Sequence, residues 1–216
     1  AFAEQLRAGG TTVAFSRAER DDRRTSLLAW RRVLESLVEL PVDGDGVRVF
    51  ERIGLRMQGF PTISGRLPLL GDVLAIDTPQ NENTRHLEGA HRADATMRLL
   101  GEIIGVLAPR PLVLVLEDSQ WLDSASWRLI EWVLGSLTSL MLILCIRSEE
   151  TPEQFRSLQQ RAKAAWTEAE PDVGARYLRI LELAELGEAS IHELVARTLD
   201  GAPPRREITS HIATLA

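Results

Sequence analysis

Two apolar runs, "LVLVL" at Leu112–Leu116 and "LMLILCI" at Leu140–Ile146, constrain this chain more than any other feature. Neither alternates apolar with polar residues, as a strand with one wet face would. Such runs suit strands of a parallel sheet buried on both faces. Between them "SASWRLIEWVLGSL" repeats apolar residues at helical spacing, with Ser124 or Ser126 as the expected cap. Strand, helix and strand in this order imply parallel pairing.

The rest of the chain continues the alternation. Residues 1–8 read as a helix end closed by Gly9-Gly10, and "TTVAFS" (11–16) as a short strand. "LLAWRRVLESLVEL" (27–40) places Leu27, Trp30, Val33, Leu34, Leu37 and Val38 at helical spacing and stops at Pro41. Further helices are predicted over 47–58, around Leu67–Leu74, over 91–108 and over 151–170. "YLRILELAEL" (177–186) alternates towards another strand, and two short helices finish the chain. The expectation is an α/β fold, a parallel sheet flanked by helices. It divides into a core over residues 1–186 and a helical tail over 187–216.

A chain of 216 residues fits that division, and a formal net charge of −6 argues against a nucleic-acid surface, which needs a basic patch. Cys145 is the single cysteine, so no disulfide forms within the chain and a reducing compartment is expected. Lying in "LMLILCI", it reads as a buried hydrophobe and not a nucleophile. No apolar run approaches the roughly 20 residues that span a bilayer, so a cytoplasmic protein without a membrane partner is expected. Trp121, Trp127 and Trp132 read as packing residues, and the histidines show no metal-ligand spacing. "DGDG" is a turn, because Val47 and Arg48 stand where a calcium loop needs an oxygen ligand and glycine.

The chemistry concentrates where the first apolar run stops, at Glu117 and Asp118. Buried unpaired carboxylates are costly, so two acids at a strand tip either sit exposed there by chance or face a cation or a reacting water. In open parallel sheets, functional groups gather at the carboxyl ends of strands. Arg147 follows the second run and occupies the same kind of end. Two acids suit Mg²⁺, which is held by one or two carboxylates plus substrate phosphates, and a nearby arginine suits phosphate.

With those residues in place, "LVLVLEDSQWLDSASWRLIEWVL" resembles the Walker B region of the AAA/STAND group of P-loop ATPases. There an apolar strand, two acids, a short spacer and Trp-x-Asp recur. "SLLAWRRVLESLV", "LMLILCIRSEE" and "LRILELAELGEASIHELVARTL" are similar to other parts of the version fused to bacterial class III adenylate or guanylate cyclases and to tetratricopeptide-containing regulators. The resemblance implies a P-loop NTPase-like fold with ATP and Mg²⁺ as cofactors. Glu117 and Asp118 would hold the metal, Asp118 would orient or deprotonate the attacking water, and Arg147 would sense the terminal phosphate. Partners would be ATP and neighbouring domains of the same polypeptide, and residues 187–216 would begin a helical lid. The family more often has Asp first, so Glu117 is a departure. Alternatives are a non-catalytic interaction scaffold or the ATPase module of a LuxR-type regulator.

The phosphate loop itself is missing. G-x-x-x-x-G-K-[ST] cradles phosphates with backbone amides and reaches them with lysine. The only lysine, Lys163, lies in "QQRAKAAW", far from any glycine. The loop's natural place would precede Ala1, so the sequence reads as a segment of a longer protein with its first sheet strand missing. Such a chain is expected to bind ATP poorly and to be inactive alone.

Overall fold

The computed structural model describes residues 2–21, 25–42, 44–108, 111–165, 178–184 and 187–198. The first elements are α1 (Phe2–Ala8) and β1 (Thr12–Arg17). Between them the chain turns at Gly10, whose φ of 81° is open to glycine but strained for other residues. Then come α2 (Leu28–Leu37), α3 (Gly46–Met57), the single turn α4 (Pro61–Ser64), α5 (Leu70–Leu74) and α6 (Gly89–Leu107). β2 (Leu112–Glu117), α7 (Ser124–Ser136), β3 (Leu140–Leu144), α8 (Glu153–Ala165) and α9 (Glu188–Thr198) complete the described α-helices and strands, and the expected helix around Leu67–Leu74 is a 3-10 turn at Leu67–Leu69 leading into α5.

The three strands form one parallel sheet in the order β1-β2-β3. β2 lies in the middle, which is why its sequence is apolar on both faces. Leu112, Val113, Leu114 and Leu116 are all buried, and Leu114 has no solvent exposure. Burying a leucine of this kind contributes about 1.5–3 kcal/mol. α2 packs on β1, and α6 packs on α7. At the second contact the Trp132 ring lies directly over Gly101, leaving no room there for a Cβ.

Polar groups also hold the α2 side together. Glu35 is fully buried and receives Arg31 Nε at 3.1 Å. The same guanidinium donates to the Leu74 and Gly44 carbonyls, at 3.1 and 2.7 Å, joining α2 to the segments around α3 and α5. Within the "DGDG" stretch Asp43 lies outside the described residues, and Asp45 caps α3 by accepting from Val47 N at 2.9 Å.

Three expectations need correction. β3 stops at Leu144, and its residues are only partly covered, Met141 being half exposed. It lies at the side of the sheet, so it lacks the two-sided burial of β2. Residues 178–184 form no strand, and Ile180, Leu181 and Leu183 are exposed. Alternation gives a segment two faces, but a strand also needs a neighbour's backbone to pair with. Cys145 is exposed, because it follows the strand instead of lying within it. The expected helix over 151–170 is α8 as far as Ala165, while residues 166–170 and Tyr177 lie outside the described residues. Of the two closing helices α9 is described, and residues 199–216 fall outside.

Candidate functional site

β2 ends at Glu117, directly in register with Arg17 at the end of β1. Asp118 then turns the chain with a φ of 51°, a left-handed conformation that Asp tolerates better than most side chains. A single helical turn follows at Ser119–Trp121. It is anchored from below: Ser119 N donates to the Cys145 carbonyl at 2.9 Å, and Cys145 N to the Leu116 carbonyl at 3.0 Å. Ser119 Oγ adds a bond to the Leu116 carbonyl at 2.8 Å. Ser119 and Gln120 are buried, so the turn that presents Asp118 is held firmly.

Asp118 is the hub of the edge. Arg17 Nε donates to its Oδ2 at 2.9 Å, and Gln120 Nε2 to its Oδ1 at 3.2 Å. Arg147 Nε stands 3.5 Å from Oδ1. Arg147 N in turn donates to Gln120 Oε1 at 3.4 Å. Burial pushes the Asp118 carboxyl upward. The Arg17 and Gln120 hydrogen bonds, with the charges of Arg17 and Arg147, outweigh it and hold the group below its ordinary value. Glu117 is half-buried, and its carbonyl accepts Ala18 N at 3.0 Å. Partial burial and the charges of Glu117 and Asp118 push the Cys145 thiol up, towards its protonated, less nucleophilic form.

The structure therefore brings Glu117, at the end of β2, and Asp118 and Arg147, just beyond the ends of β2 and β3, to one carboxyl edge, with β1 on the side away from β3. It adds two residues that the sequence did not single out. Arg17 is the last residue of β1, so the rule that led to Arg147 points to it too once the strand is extended past Ser16. Gln120 carried no signal.

The tryptophan-aspartate motif also acquires a role. Asp123 caps α7, its Oδ1 accepting Ala125 N at 2.9 Å and Ser126 N at 3.1 Å. Neither Ser124 nor Ser126 is the cap. Ser126 Oγ instead donates to Asp123 Oδ2, which also accepts Leu27 N at 3.0 Å. Leu27 has a φ of 62°, strained for a leucine, and this bond helps fix it there. Trp121 is half-buried, with the Arg20 guanidinium 5.3 Å from its ring centroid.

The chain matches no family model, no curated protein and no solved structure. Its chemistry has to be judged on its own donors. As found, Asp118 is not free for a divalent cation. Both Asp118 oxygens are engaged by cationic or amide donors, and a metal would face two guanidiniums. Among the described residues no three His, Cys, Asp or Glu side chains converge as a metal-holding group. Lys163 is exposed on α8. What the edge does present is a covered carboxylate between two exposed arginines.

Proposed function

We propose that the chain is the core of an ATP-binding regulatory module of a multidomain signalling protein, the kind found attached to adenylate cyclases. One observation carries this reading: Glu117, Asp118 and Arg147 share the carboxyl edge of a parallel sheet, where the resemblance to Walker B and sensor segments would put them. Arg17 strengthens it, since a second guanidinium at that edge suits phosphate. Nucleotide binding and control of a neighbouring cyclase or tetratricopeptide-type domain are the proposed activities. Residues 187–216 would belong to the helical lid. Because Asp118 as found is committed to Arg17, Gln120 and Arg147, no hydrolytic step is assigned to it. The sequence holds no glycine-lysine phosphate loop, so tight binding would need a cradle from another segment or protein.

The test is a backbone NMR titration of the chain with ATP. Weak binding, with shifts confined to residues 17–18, 117–120 and 145–148, is the expected result. No shift at this edge in the millimolar range, or the same shifts with adenosine, would overturn it. A second reading has one observation in its favour: Asp118 is committed to ion pairs that tie β1 and β3 to β2, as in a non-catalytic scaffold. That reading predicts that Asp118→Asn lowers the melting temperature and leaves the response to ATP unchanged.

A further inference from the structure

Asp118 offers one oxygen to each of two guanidiniums that come from the flanking strand ends. Arg17 Nε meets Oδ2 at 2.9 Å, and Arg147 Nε stands 3.5 Å from Oδ1. The exposures are unequal: the arginine side chains are 62% and 65% exposed, the carboxylate only 18%. Two cations in solvent thus bracket one covered anion. Paired guanidiniums of this kind are how proteins grip a phosphate, because the planar fork matches its oxygens. Here the bracketed oxygens belong to the chain itself.

We propose that Arg17 and Arg147 form a binding site for the phosphate of a small molecule, and that Asp118 is a tethered anion holding the site closed until that ligand arrives. The tether is short and the turn beneath it is buried, so the internal carboxylate competes at high local concentration. Gln120 supports the closed state from both sides, donating to Asp118 and accepting from the Arg147 backbone. The inference rests on the nucleotide reading for the rest of the ligand, while the phosphate contact has its own geometry.

The competitor can be removed with little change of shape. Asn tolerates the left-handed backbone of residue 118 at least as well as Asp, and it carries no charge. Inorganic tripolyphosphate, titrated calorimetrically at low salt without divalent cations, is the probe. Asp118→Asn should bind it about tenfold more tightly than the parent, the scale of one charge-assisted hydrogen bond. Adding Arg17→Gln or Arg147→Gln should remove that gain. A gain that survives both arginine changes, no gain at all, or an equal gain in Glu117→Gln, which alters charge without releasing an arginine, would overturn the site.

The unmutated chain supplies an independent measure. Phosphorus line broadening of tripolyphosphate should be lost in Arg147→Gln, and broadening that persists overturns the proposal. ATP that binds no better than tripolyphosphate would leave the arginine site standing and remove the nucleotide reading. ATP binding that ignores both arginines would do the reverse.

Discussion

Asp118 combines a left-handed backbone with a carboxylate held between two arginines, and the two properties can be separated by mutation. Asp118→Asn keeps the backbone and loses the charge. Asp118→Ala loses both, with an added conformational cost of about 1 kcal/mol. The carboxyl's folded value lies below its unfolded one, so its stabilisation is present above the ordinary carboxylate range. That contribution is lost as the pH falls through the lowered folded value. Urea midpoints of parent and Asp118→Asn should therefore differ at neutral pH and converge in acid. A difference that stays constant with pH would show that the ion pairs contribute nothing. At this scale the sequence was only partly legible. The acids and Arg147 stand out because each ends an apolar run, whereas Arg17 ends a more polar strand and sits among other arginines. Cys145 misled, since an apolar neighbourhood in sequence does not say where a strand stops.

Among the elements, α7 depends on a residue outside it. Asp123 serves two N–H groups of its first turn, the Ser126 hydroxyl and the strained start of α2. Asp123→Ala should cost roughly 2–4 kcal/mol, the sum of a lost cap and an orphaned Leu27 N–H. Asp123→Asn should recover part of it, and thermal melts of the two variants decide the matter. A loss no larger than an ordinary surface change would mean that Leu27 finds another partner. Gly101→Ala tests the other side of the same helix, because the new methyl must displace the Trp132 ring. Overpacking of this kind costs about 1–3 kcal/mol, and tryptophan fluorescence should report the ring's movement along with the loss of stability. Helices α2, α6 and α7 were legible from their spacing, since one buried stripe per helix survives in almost any surroundings. Helix caps were less so: three polar residues crowd the start of α7, and only geometry selects Asp123. The segment 178–184 shows the opposite failure, a good strand pattern with nothing to pair with among the described residues.

For the whole molecule, the parallel pairing of β2 with β3 followed from two apolar runs joined through a helix, because short connections leave few ways to arrange such units. Among the described residues no helix is long and apolar enough to cross a membrane. What the sequence did not disclose is how unevenly the sheet is covered. Leu112–Leu116 and Leu140–Leu144 are equally greasy on paper, yet the second is only partly shielded. Strand margins of that kind attract any extended chain that drifts past, and proteins usually blunt them with charge. Nothing in "LMLIL" does so. Concentrated stocks should accordingly lose clarity on standing, more quickly when warmed. Met141→Lys, placing an ammonium on the half-exposed position, should lengthen their storage life with little change in melting temperature. Light scattering followed over days would measure it, and stocks of the variant that cloud as fast as the parent's would place the weakness elsewhere on the surface.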